Sequence, residues 1–263
     1  MDSKLRTPNS ELRTLWERDP KLTTLPLTLD EVLSQVQTGL PGKVLFGGER
    51  AGEISSYVAG WLAGKGIDVI VLDGANRFDP YMASSFARKA LISPERLLKR
   101  IRIARAFTCY QMSIMVGEKL PSLLSAASQK PWVILLGFIT TFLDSDVPER
   151  EIRPLFERSL RKIEEMALRG VPFLLFQSSC FSENSSFPKG GLRGLGNSKR
   201  AYLTRRLFQF ANEAWRIDLD DEGPKMILEK GIEMVRHCER SESHQRIVSS
   251  SRNFWTSRND NPN

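Results

Sequence analysis

Four short, unbroken apolar runs constrain this chain more than any other feature. They are Lys43-Val44-Leu45-Phe46, Asp68-Val69-Ile70-Val71-Leu72-Asp73, Trp132-Val133-Ile134-Leu135-Leu136 and Phe173-Leu174-Leu175-Phe176-Gln177. None shows the apolar–polar alternation of a half-exposed strand, so each has to be covered on both faces. The stretches between them supply the cover: residues 54–63, 80–90, 94–98, 110–128 (up to a break at Pro121) and 149–169 read as helices. The last of these carries Ile152, Leu155, Phe156, Leu160, Ile163 and Met166 near the 3.6-residue period, the stripe of a helix laid on a core. This alternation predicts an α/β fold with a mostly parallel central sheet flanked by helices.

Residues 27–36 precede the first run, with Asp30 placed to cap a short helix. Residues 99–105 alternate and read as a half-covered strand, Arg100 and Arg102 on one face and Ile101 and Ile103 on the other. After a Gly-, Ser- and Asn-rich loop over 178–198, residues 202–212, 214–218 and 225–229 read as strands of a C-terminal antiparallel extension; 204–210 fits a helix equally well. The expected organisation is a flexible arm over 1–26, a core over 27–235 and a disordered tail over 236–263. Within that tail, Arg236-His237-Cys238-Glu239-Arg240-Ser241-Glu242 resembles the translation of a dispersed repeat of bacterial genomes, which implies a bacterial source.

Composition removes several classes of function. The apolar runs fall well short of the ~20 residues that span a bilayer, and Met1-Asp2-Ser3-Lys4-Leu5-Arg6 leads into no apolar signal segment. Cys109, Cys180 and Cys238 are odd in number and widely spaced, which fits reduced thiols in a cytoplasm. Both histidines, His237 and His244, lie in the tail, so the core has no histidine for a catalytic triad or metal site. No metal and no membrane partner are expected. The formal charge of +7 favours a polyanionic partner.

A glycine-rich turn follows the first strand. Phe46-Gly47-Gly48-Glu49-Arg50-Ala51-Gly52-Glu53-Ile54 stands between strand and helix, where backbone N–H groups can close around phosphates. Gly47 and Gly52 keep the spacing of a phosphate-binding loop. Glu53 stands where such a loop needs lysine, and Ile54 where it needs the hydroxyl that holds magnesium. Ser55 lies one place late for that role.

Several phrases, in order, resemble the RecA/RadA recombinase family over residues 27–231. Gly39-Leu40-Pro41-Gly42-Lys43-Val44 is similar to the lead into the family's phosphate loop. Val71-Leu72-Asp73-Gly74-Ala75-Asn76-Arg77-Phe78-Asp79-Pro80 is similar to the strand end that carries its catalytic glutamate. Pro94-Glu95-Arg96-Leu97-Leu98, then Ile103-Ala104-Arg105-Ala106-Phe107 and Gln111, is the most telling stretch. Val133-Ile134-Leu135-Leu136-Gly137 occupies the Walker B strand, and Phe176-Gln177-Ser178 the strand end with a signalling glutamine.

The resemblance implies a RecA-like P-loop core whose hydrolytic parts are replaced. It puts Ala75 at the catalytic glutamate and Gly137 at the Walker B aspartate, beside Glu53 and Ile54. With all four parts of phosphoryl transfer gone, no ATPase activity is expected. Gly47, Gly52, Gln177 and the helix start leave room for weak ATP or ADP binding without hydrolysis. Asp144 and Asp146 read as a solvated loop that caps the next helix rather than as substitute metal ligands.

In such a core, loops after the Walker B strand and the next strand hold DNA. The second loop here leads into Lys189, Arg193, Lys199, Arg200, Arg205 and Arg206, with no acidic residue among them. Glycines allow close approach to phosphates, and the cations release counterions on binding. Phe187 and Tyr202 offer faces on which unpaired bases stack. A second basic group, Arg88, Lys89, Arg96, Lys99, Arg100, Arg102 and Arg105, opposed in sequence by Glu95 alone, suits protein docking. The expectation is a cytoplasmic DNA-binding or scaffolding subunit of repair or recombination, acting on DNA, with single strands favoured, as a homo- or hetero-oligomer. The alternative is a regulator that binds ATP or ADP and works through protein partners. Recombinase paralogues and the RecA-like accessory subunits of mutagenic repair polymerases supply the analogy.

Overall fold

The computed structural model describes residues 27–38, 42–48, 50–144, 146–178, 199–220 and 223–231. The expected arm, the tail, and Lys189, Arg193 and Phe187 lie outside them.

Each apolar run became a strand whose side chains divide between two cores. In β2 (Lys43–Gly47), Val44 and Phe46 join one core and Leu45 the other. β3 (Val69–Asp73) sends Val69 and Val71 one way and Ile70 and Leu72 the other. β5 (Trp132–Leu136) and β6 (Phe173–Gln177) divide likewise: Ile134, Leu136, Leu174 and Phe176 face Val133, Leu135, Phe173 and Leu175 across the sheet. The two-residue period of a strand therefore turns a continuous apolar run into two buried faces.

One core lies under α1 (Leu29–Thr38), α2 (Ala51–Gly64), α3 (Pro80–Lys89) and α4 (Pro94–Leu98). The other lies under α5 (Cys109–Ile114), α6 (Leu120–Ser125), α7 (Glu149–Leu168) and α8 (Lys199–Phe210). In α7 the predicted stripe is buried at Ile152, Phe156, Leu160, Ile163 and Met166, and half-buried at Leu155.

With β1 (Leu27–Thr28), β4 (Ile101–Arg105), β7 (Glu213–Asp220) and β8 (Gly223–Lys230), the described residues form a sheet of eight strands in the order β1-β8-β7-β2-β6-β5-β3-β4. From β7 to β4 all neighbours are parallel, and β8 and β1 add the antiparallel extension. The parallel register lines up the carboxyl ends of β2, β6, β5 and β3, the edge where ligands of such sheets bind.

Several local expectations need correction. Asp30 does not cap α1. Thr28 does, its hydroxyl accepting from the Glu31 N–H at 3.3 Å while the Glu31 carboxylate accepts from the Thr28 N–H at 2.8 Å. That is the reciprocal capping box of a Thr-x-x-Glu sequence. The helical stretch around Pro121 does not break there, because a π turn over Met115–Lys119 has already interrupted the helical ladder before the proline. Of the two readings of 202–212, the helical one holds: α8 buries Ala201, Thr204 and Leu207, spaced three apart, on one face. The extension therefore comprises β1, β7 and β8, with β7 itself parallel to β2. Among the described residues β4 is an edge strand, and on its apolar face Ile101 is buried while Ile103 is exposed.

Candidate functional site at the carboxyl ends of the strands

The turn after β2 is tighter than a phosphate loop. Helix α2 begins at Ala51, three residues before the start read from sequence, so Gly52, Glu53 and Ile54 belong to its first turn. The Gly48 N–H is spent on the Gln177 carbonyl at 3.2 Å, the Ala51 N–H on the Gly48 carbonyl at 3.2 Å and the Ile54 N–H on the Arg50 carbonyl at 3.1 Å. Gly48 also presses on β7: a Cβ there would stand 2.7 Å from the Ile217 carbonyl oxygen.

The side chains of that first turn point elsewhere. Glu53 is exposed and holds Arg50 in a surface ion pair. Ile54 is buried in the core. Ser55 and Ser56 are buried too, and both hydroxyls donate to the Gly52 carbonyl, at 2.7 and 2.9 Å. Ser56 oxygen in turn accepts from the Asp79 N–H at 2.9 Å, which ties α2 to the turn that starts α3.

Asp73 builds that turn. Its buried carboxylate, at the end of β3, accepts from the N–H groups of Ala75, Arg77 and Phe78 at 3.1, 3.2 and 2.9 Å. Arg105, opposite Asp73 on β4, brings its guanidinium to 3.8 Å. Asp79 then caps α3 by accepting from the Tyr81 N–H at 2.8 Å.

Ala75 and Gly137 meet. Gly137 has φ +63°, the left-handed region that side chains other than glycine's adopt only under strain, and a Cβ on it would lie 2.4 Å from the Cβ of Ala75. The positions that the resemblance assigns to the water-orienting glutamate and the magnesium-linked aspartate are thus in contact, with no space between them. Gln177, buried at the end of β6, accepts from the Ile139 N–H at 3.2 Å and donates to the Thr140 hydroxyl at 3.4 Å, so it finishes the turn after β5. A magnesium-bound triphosphate does not fit this donor set: the cation is missing at residue 53, the hydroxyl at 54, and both carboxylates at 75 and 137.

Beside the turn lies a cleft of about 440 Å³, walled by Leu29, Ile54, Tyr57, Met82 and Pro224. Asp30, Glu53 and Arg50 stand at its rim. The Tyr57 hydroxyl donates to Asp30 at 3.4 Å, and burial followed by the Asp30 charge raises its pKa above the usual phenol value. Sequence reading missed this cleft, because its walls come from four separate segments. It also missed the roles of Asp73 and Thr28, although an acid closing an apolar strand and a Thr-x-x-Glu pattern are both visible signals.

Of the basic residues proposed for DNA, Lys199 and Arg200 open α8, Arg205 is half-buried and Arg206 is engaged. Arg206 grips both carboxylate oxygens of Glu157 on α7, at 2.9 and 3.0 Å. Tyr202 donates to the same carboxylate at 2.9 Å, and the Arg153 guanidinium lies 4.7 Å above its ring, so the face expected for a base is taken. Lys230 closes the other end of α8 by donating to the carbonyls of Phe208, Gln209 and Ala211. The second basic group is less uniform than it reads. Glu95 holds Lys99, and tertiary structure brings Asp68 to Arg100 and Asp73 to Arg105. Asp144 does not cap α7, whose N-cap is Pro148; it accepts from the Asp146 N–H at 3.0 Å within its own turn. Among the described residues, no three His, Cys, Asp or Glu side chains gather where they could hold a metal ion. Nor is any described helix long and apolar enough to cross a membrane.

This strand order, with the glycine turn after β2 and the added antiparallel strands, defines a RecA-like α/β fold. Among solved structures, the crystal structure of the RadB recombinase matches it with a TM-score of 0.54, over 76% of this chain and 86% of that one, at 15% identity. No protein-family model matches the sequence, and no curated protein matches it.

Proposed function

We propose that this chain is a cytoplasmic RecA-like subunit that binds DNA and scaffolds a bacterial repair or recombination assembly without hydrolysing ATP. The contact between Ala75 and Gly137 carries the reading. Phosphoryl transfer needs a held water and a held cation on the γ-phosphate, and neither Ala75 nor Gly137 carries a side chain that could hold them. Glu53, turned outward against Arg50, adds a negative charge where a triphosphate needs a positive one.

DNA binding then falls to the loop that ends at α8. Glu157 and Lys230 fix that helix at its middle and its end, so the basic residues at its start stand on a rigid base. Lys189, Arg193, Lys199 and Arg200 are the phosphate contacts, while Arg206 holds the helix in place. A protein partner docks on the β4 edge, where Ile103, Phe107, Tyr110 and Ile114 are exposed beside Arg102 and Arg105.

The test is binding of labelled single-stranded DNA across a salt series, with and without magnesium and ATP or ADP, alongside an ATP-turnover assay. Salt-sensitive binding indifferent to nucleotide, with no turnover, supports the proposal. Magnesium-dependent turnover would overturn the non-hydrolysing part, and absence of binding at low salt would overturn the DNA part.

A further inference from the structure

The cleft beside the glycine turn is the meeting place of four elements. Leu29 comes from the start of α1, Ile54 and Tyr57 from α2, Met82 from α3 and Pro224 from β8. At about 440 Å³ it is in the size range of small-molecule sites, and apolar walls with a few polar groups are their usual lining.

The charges at its rim are not equivalent. Glu53 and Arg50 hold each other in an ion pair, and so cancel. Glu31, next in sequence to the rim, is committed to the cap of α1, where it accepts from both the N–H and the hydroxyl of Thr28 at 2.8 Å. Asp30 is different. It is exposed, its carboxylate accepts from the Tyr57 hydroxyl at 3.4 Å, and among the described residues it stands in no ion pair. Tyr57 positions that carboxylate without neutralising it. Its ring stands edge-on to Phe86, centroids 5.3 Å apart, and burial followed by the Asp30 charge keeps the phenol protonated.

We propose that this cleft binds a small organic cation, an amine on an aromatic or branched aliphatic group, with the apolar group between Ile54, Met82 and Pro224 and the ammonium on Asp30. The apolar part is held by burial against the walls. The ammonium donates charge-assisted hydrogen bonds to a carboxylate that has no other cation. The rim selects the sign of the ligand. A phosphate or carboxylate would meet Asp30 and Glu53, and the guanidinium of Arg50 is already engaged. A neutral ligand of the same shape gains the walls and leaves Asp30 to water. Because the walls come from α1, α2, α3 and β8, a bound amine ties these elements together and stabilises the folded chain by mass action. The site needs neither DNA nor nucleotide, so it stands apart from the DNA-binding reading.

The experiment is isothermal titration calorimetry on the full chain with three indoles that differ in charge: tryptamine as the cation, 3-methylindole as the neutral ring and indole-3-acetate as the anion. AMP serves as a nucleotide control. Tryptamine is expected to bind at least about tenfold more tightly than indole-3-acetate or AMP, and to raise the melting temperature. Asp30→Asn is expected to weaken tryptamine at least about tenfold while 3-methylindole binds as it does to wild type. Met82→Ala removes part of a wall and is expected to weaken both by about fivefold or more. Arg50→Gln removes the rim's cation and frees Glu53, so it is expected to tighten tryptamine by about threefold, a gain that a misfolded cleft would not give. A wild-type chain that binds no tryptamine, one that takes indole-3-acetate or AMP as tightly, or an Asp30→Asn chain that binds tryptamine unchanged overturns the proposal.

Discussion

The Cβ of Ala75 lies 2.4 Å from where a side chain on Gly137 would begin, and Gly137 holds its backbone at φ +63°. The turn after β3 and the end of β5 are packed together here, so that any side chain added at residue 137 meets Ala75. A carboxylate at residue 137 therefore cannot be added without moving Ala75.

Gly137→Asp tests this. The new side chain combines left-handed strain of about 1–2 kcal/mol with overpacking of about 1–3 kcal/mol. A loss of roughly 2–5 kcal/mol is expected in urea unfolding, with no magnesium-dependent stabilisation in return. A variant as stable as wild type, or one stabilised by magnesium and ATP, would show that the space is open.

How much of this was visible in the sequence depends on how local each determinant is. The parallel sheet was legible because burial on both faces leaves residues 69–72 of β3 and 173–176 of β6 apolar throughout. The position of the glycine turn was legible from Gly47 and Gly52, but not its tightness, which depends on Ile217 of β7 lying against Gly48. Helix α8 was ambiguous because Tyr202, Thr204, Phe208 and Phe210 favour strands, while the buried face that decides the matter is set by contact with the sheet. The pairing of Arg100 with Asp68 and Arg105 with Asp73 spans two strands and is set by the register of β3 and β4. The sequence had put Glu95 alone against that basic group.

Lys230 caps α8 from a distant strand, and Lys230→Met is expected to cost about 1–3 kcal/mol by leaving helix-end carbonyls without their donor. Hydrogen exchange locates the effect: amides of α8 lose protection before those of α7. Uniform loss across both helices would mean that the lysine does not act as a cap.

Tyr57 and Tyr202 make stability fall at alkaline pH. Burial comes first for both, and the hydrogen-bonded carboxylates of Asp30 and Glu157 add to it, so both phenols hold their protons above the ordinary value. A folded-state pKa above the unfolded one gives a contribution that is complete below the unfolded value of about 10 and fades as pH rises through the folded one. The urea midpoint is expected to drop across that window, and less steeply in Tyr57→Phe/Tyr202→Phe. Equal slopes in the two proteins would assign the alkaline loss to other groups.

The two kinds of basic residue at α8 separate in a salt titration. Lys199 and Arg200 open the helix as proposed phosphate contacts, whereas Arg206 is committed to Glu157. Each phosphate neutralised on single-stranded DNA contributes about 0.7 to the slope of log K against log salt. Lys199→Ala/Arg200→Ala is therefore expected to weaken binding and to flatten that slope by roughly 1.4, with unchanged thermal stability. Arg206→Ala is expected to do the reverse: it leaves Glu157 with one partner fewer and lowers the melting temperature, while the salt slope at a temperature where it is folded matches wild type. If Arg206→Ala flattened the slope as much as the double variant, the arginine would be a phosphate contact after all, and its grip on Glu157 would have to open when DNA arrives.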